Sequence, residues 1–193
     1  DYRNLINLTS VNSRTDIIPT SAITNNGTLS FEGSADFTLS NLVSGTGQID
    51  HSGGGNLTLS NANTYSGGTN IHGSHLTLSN TNALGTSSLT SNGGTLSVAN
   101  SVILPSLTVN GAITLDTNIL TTGTQTYNDA VTLTNSVTLN STGGADAAHQ
   151  AITFASTLNG TASDGSKALT ITAGSGTVTN VATGTGLTGG PIT

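Results

Sequence analysis

The chain has 193 residues and a net charge of −6, with 6% charged, 3% aromatic and 33% hydrophobic residues and no cysteine. That composition excludes a core of large aromatic side chains, a disulfide framework, a thiol nucleophile and a cysteine metal site. The basic residues are Arg3, Arg14 and Lys167 alone, so there is no basic groove for nucleic acid and no polybasic patch for an anionic membrane.

Residues Asp1 to Thr24 fit no repeat and are expected to form a cap, a linker or an added strand. They show no charged n-region followed by an apolar h-region, so any export signal is expected to have been removed or to lie outside this sequence. No apolar run approaches the ~20 residues of a membrane span, and direct membrane insertion is not expected of this segment.

From residue 25 to 193 a four-residue unit recurs, apolar at its second and fourth places and usually Thr or Ser between them. It begins with Thr28-Leu29-Ser30-Phe31 and Asp36-Phe37-Thr38-Leu39, and runs through Asn56 to Leu59, His75 to Leu78 and Thr95 to Val98. Further copies are Ser106 to Val109, Ala112 to Leu115, Ala130 to Leu133, Ser136 to Leu139, Ala151 to Phe154 and Ala168 to Ile171. Alternation with period two marks a strand with one buried face.

The spacing selects the architecture. Leu57 to Leu76, Leu76 to Leu96, Ile113 to Val131 and Ile152 to Leu169 are steps of closely similar length. A near-constant step predicts a right-handed parallel β-helix, a β-solenoid with coils of roughly 17–20 residues. Inward Leu, Val and Ile should stack coil on coil, outward Thr and Ser should form ladders, and Asn at corners should pair with its neighbours above and below. Helix is not expected, apart from a few residues between Gly144 and Gln150.

Two stretches carry a resemblance. Leu57-Thr58-Leu59, Asn63, Thr64-Tyr65 and Gly67-Gly68, followed by Leu76-Thr77-Leu78, Asn82 to Gly85 and Gly93 to Leu96, resemble the passenger-associated repeat of bacterial autotransporters. Gly123 to Leu133 is similar to repeats of large exported adhesins of the filamentous-haemagglutinin type. The resemblance implies a right-handed β-helix passenger, secreted or at the bacterial cell surface, with a role in adhesion, biofilm or self-association.

Chemistry-bearing residues are sparse. Asp50-His51 sets an acid beside a base, but strand neighbours point to opposite faces. His72 and His75 straddle Gly73 and lack further zinc ligands. Asp129, Asp146 and Asp164 are candidates for a weak calcium site if the coils align, without any known calcium-loop pattern. No catalytic residue, metal site or cofactor is expected, and the chain is read as a non-enzyme. Tyr65 and Tyr127 follow strands in comparable places; exposed, each would stack on a sugar ring, and buried, each would close a corner.

The expected function is therefore an adhesin segment whose uncharged face binds a second copy of itself or a surface glycan. The rivals are a passive stalk, a filament subunit polymerising through strand edges, a carbohydrate-active β-helix enzyme, and an ice- or crystal-binding solenoid. The wandering step argues against the last of these, since a lattice needs constant register.

Overall fold

The computed structural model describes residues 6–8, 22–98, 102–143, 150–160, 167–173, 177–179, 182–183 and 187–192. Every strand pairing among them is parallel, and no helix occurs among the described residues. The alternating tetrads become short strands that stack one coil upon the next as a β-solenoid with three faces.

The first face stacks Ile6–Leu8, Thr28–Phe31, Gln48–His51, Thr69–Ile71, the leading halves of Leu89–Val98 and Leu107–Leu115, then Gln125–Tyr127, Ile152–Phe154 and Val178–Thr179. The second face stacks Phe37–Leu39, Asn56–Leu59, His75–Leu78, the trailing halves of the same two long strands, Val131–Leu133, Thr157–Gly160 and Ala182–Thr183. On the third face Ile23–Thr24 pairs with Val43–Ser44, and a second group joins Ile119–Leu120, Val137–Asn140, Lys167–Thr172 and Leu187–Ile192.

Register makes the core. Leu57, Leu76, Leu96, Leu115 and Leu133 pair in succession, as do Leu39, Leu59, Leu78 and Val98, and all are buried. Each fully buried aliphatic side chain contributes about 1.5–3 kcal/mol, so the interior columns outweigh any surface interaction. On the first face the column Phe31, His51, Ile71, Ser91, Val109, Tyr127 and Phe154 admits polar members among the apolar ones.

Three of the four expected steps are register partners: Leu57 with Leu76, Leu76 with Leu96, and Ile113 with Val131. The fourth is not. Ile152 pairs with Gln125 and Val178 on the first face, whereas Leu169 pairs with Val137 on the third. On the first face the steps from Leu29 to Ile49 and from Leu107 to Gln125 keep to the expected coil length. Those from Gln125 to Ile152 and from Ile152 to Val178 exceed it, so the last coils are longer than the sequence pattern predicts. The extra residues fall between strands, where they leave the pairing intact. Residues 144–149, where the sequence allows a short helix, lie outside the described residues.

Gly94 shows how tightly a corner is drawn. Its φ is +98°, and an added Cβ would overlap the carbonyl oxygen of Ser74 in the coil below. Gly54 has open space around the same position. Gly94→Ala is therefore expected to lower the unfolding free energy by well over ~1 kcal/mol, and Gly54→Ala to change it by less than about 0.5 kcal/mol. Urea titrations followed by far-ultraviolet circular dichroism would decide this, and equal losses in the two variants would contradict the close packing at Gly94.

Candidate interaction surface

The register that aligns the core also aligns what faces out. On the first face Thr90, Thr108, Thr126, Thr153 and Thr179 pair in unbroken succession. Two residues before them run Ser88, Ser106 and Thr124, with Ser106 Oγ donating to Ser88 Oγ at 2.7 Å. Two residues after run Asn92, Asn110 and Asn128, with Asn128 Nδ2 donating to Asn110 Oδ1 at 2.9 Å and Asn110 Nδ2 to Asn92 Oδ1 at 3.3 Å. Rungs of a sheet lie about 4.8 Å apart and alternate residues about 6.6 Å apart, so the face is a two-dimensional grid of hydroxyls and amides.

None of the residues in these three columns is charged. Charge enters at the other end of the face, where Asp50 Oδ2 lies 3.1 Å from His72 Nε2. His72 is 43% exposed and Asp50 25% exposed, so the contact is worth little by itself. The second face carries a companion row, Thr95, Thr114 and Thr132, across the corner from the Asn column.

Coil length does not disturb this grid. Thr126 and Thr153 are register partners although more chain separates them than separates Thr108 from Thr126, because the added chain between Asn140 and Ile152 leaves the first-face pairing untouched. The unequal steps in the sequence therefore do not argue against a regular lattice, and the objection to crystal binding fails on that point.

Tyr65 and Tyr127 do not join the surface. Both are 0% exposed, so neither ring can stack on a sugar, and the glycan-contact reading of these two residues is overturned. Tyr65 OH is 2.6 Å from Thr69 Oγ1, and Tyr127 stacks on Phe154 with centroids 5.0 Å apart while its hydroxyl donates to Gln125 Oε1 at 2.9 Å. Each was drawn inside because an interior hydroxyl or amide stands ready to satisfy its phenol.

The other candidates separate. His51 points into the core, its Nδ1 3.1 Å from Phe31 O and its Nε2 3.0 Å from Gly55 O, whereas Asp50 points out. They form no acid–base pair. His75 lies on the second face between Asn56 and Thr95, away from the Asp50–His72 pair on the first-face corner. Asp129 accepts from the Ala130 backbone at 2.7 Å, and Asp146 and Asp164 lie outside the described residues. Among the described residues no three His, Cys, Asp or Glu side chains converge as a metal site would require.

Sequence reasoning expected Asn to pair coil on coil at the corners but did not name the residues, and it missed the Asp50–His72 contact. Asn92, Asn110 and Asn128 stand 18 residues apart, each directly after a first-face tetrad, and alignment on that step would have revealed the column. Compared with known protein families, curated proteins and solved structures, the chain matches none.

Burial pushes the Tyr65 phenol up to about 12, against the smaller opposing effect of its hydrogen bonds to Thr69 and Ser87, and burial raises Tyr127 as well. The unfolded chain then releases these protons first, from about pH 10. Stability from this source is intact below about pH 10 and falls as pH rises toward about 12 and beyond. Unfolding free energies measured across that window should decline, and Tyr65→Phe should decline less steeply while being about 1 kcal/mol less stable at neutral pH for want of its bond to Thr69. An unchanged slope in Tyr65→Phe would show that this phenol does not ionise on unfolding.

Proposed function

We propose that this rod is a segment of a secreted or surface-displayed bacterial adhesin, with the uncharged stretch of the first face from Ser88 to Asn128 as its adhesive surface. The supporting observation is the aligned grid of Ser, Thr and Asn columns across Ser88 to Asn128. Such a surface offers donors and acceptors in both senses at every rung, and it lacks the charge repulsion that keeps most proteins apart. Its partner is a second copy of the chain or an uncharged surface glycan. Many weak hydrogen bonds add along a rigid face, so strength grows with the number of coils engaged.

The repeat motifs around Leu57 to Gly68 and Gly123 to Leu133, which resemble those of autotransporter passengers and exported haemagglutinin-type adhesins, support the same reading and the extracellular location. A binding role is favoured over a catalytic one because the Ser, Thr and Asn columns that form the grid are all neutral groups.

The unbroken threonine row favours a second reading, recognition of a periodic solid such as ice. Faceting of ice crystals grown in solutions of the protein would reveal it.

Sedimentation velocity over a range of concentrations, with and without soluble neutral polysaccharide, tests the adhesive reading. Concentration-dependent association or co-sedimentation is expected. In the Thr108→Glu, Thr126→Glu double variant, desolvating two new carboxylates should weaken either association more than about tenfold with the β-rich circular dichroism spectrum retained. A monomer indifferent to concentration and polysaccharide would leave a passive stalk.

A further inference from the structure

One corner of the solenoid carries a continuous file of side-chain hydrogen bonds across five coils. Asn128 Nδ2 donates to Asn110 Oδ1, Asn110 Nδ2 to Asn92 Oδ1, Asn92 Nδ2 to His72 Nδ1 at 3.2 Å, and His72 Nε2 to Asp50 Oδ2 at 3.1 Å. All four bonds run the same way. The chemistry of the Asp50 end dictates that direction. An ionised carboxylate only accepts, so His72 must carry its proton on Nε2, and a neutral imidazole then presents a lone pair on Nδ1. Asn92 must meet that lone pair with its amide nitrogen, which turns its oxygen toward Asn110. The same choice repeats at Asn110 and delivers an oxygen, Asn128 Oδ1, as the last acceptor. The file stops there because the next register position, after Phe154, is Ala155.

We propose that this file is a proton-operated switch that reverses as a unit. A second proton on His72 occupies Nδ1 and replaces the acceptor that Asn92 faces with a donor. Asn92 then has to rotate its amide and offer Oδ1, its nitrogen turns to Asn110 Oδ1, and Asn110 in turn presents its nitrogen to Asn128. The terminal group three rungs away, about 14 Å along the rod, changes from a carbonyl acceptor to an amino donor. A partial reversal leaves two donors or two acceptors face to face at one rung, so the three amides are coupled.

The titratable groups on the neighbouring strands do not compete for the ring. Asp50 holds His72 directly, Glu32 accepts from Ser30 Oγ at 3.2 Å, His51 is turned into the core, and His75 sits on the second face. His72 itself is exposed enough to exchange protons with solvent. The inference does not depend on the adhesive reading, although a reversal would change which groups the uncharged face offers a partner.

Nitrogen-15 NMR on the labelled chain tests it. In its singly protonated state the His72 ring should show the Nε2–H tautomer. On acidification the side-chain amide signals of Asn92, Asn110 and Asn128 should shift with one midpoint, that of the His72 ring. His72→Gln should abolish all three shifts. Asn110→Ala should abolish the shift at Asn128 and spare that at Asn92, and because residue 110 is exposed this variant retains the fold for the comparison. Shifts at Asn92 alone, or an Asn128 signal that still follows His72 in Asn110→Ala, would overturn the coupled reversal.

Discussion

Parallel, in-register stacking of coils is the constraint from which the rest of the molecule follows. Each strand hydrogen-bonds to its equivalent one coil away, so a residue's neighbours are set by its position in the coil rather than by its place in the chain. A slip of one residue would turn Leu57, Leu76 and Leu96 outward and Thr58 and Thr77 inward, with the loss of every buried aliphatic contact in that column. Variation is confined to the connections between strands. That is why the circuit from Leu107 to Gln125 and the longer one from Gln125 to Ile152 both deliver a side chain to the same column of the first face.

Where the third face lacks regular strands, buried amides take over the work of the backbone. Between Val43–Ser44 and Ile119–Leu120 no paired strand is assigned on that face among the described residues. Asn63 fills the gap, accepting from Val43 N at 2.8 Å on one side and donating to Ala83 O at 2.7 Å on the other. A carboxamide carries the same donor and acceptor as a peptide group, so one side chain replaces a ladder rung without leaving an orphan. Gln125 acts similarly inside the core, donating to Asn140 O at 2.8 Å and accepting from Tyr127, and so ties the first face to the third. These residues explain how a chain with so many polar side chains accommodates amides in its interior.

The fold was legible because its signal is repetition. Tetrads such as His75-Leu76-Thr77-Leu78 announce both the strand and the buried face, and their spacing announces the coil. What could not be read was which tetrad stacks on which once the connections lengthen, since Ile152 and Leu169 look like successive equivalents and belong to different faces. The tyrosines were left open between an exposed and a buried place for a related reason, and both are buried. A Tyr after a strand is equally able to point either way, and the partners that drew them inward, Thr69 and Gln125, occupy positions where alternation alone predicts an aliphatic residue. The Asp50–His72 contact is diagonal on the sheet, a relation that exists only after the register is known.

The same constraint that orders the interior makes the exterior periodic. On an ordinary domain each surface hydroxyl has its own surroundings, and a partner must match an irregular pattern. Here Thr90, Thr108 and Thr126 have nearly the same surroundings because the coils beneath them are equivalent. A ligand that suits one rung suits the next, and displacement along the rod by one rung restores most contacts. Such a surface is poorly suited to holding a single small molecule in one pose and well suited to extended partners with a repeat of their own, another solenoid or a polymer among them. Directionality is the one property that breaks the translational equivalence, and in the Asn column it originates from a single carboxylate at Asp50.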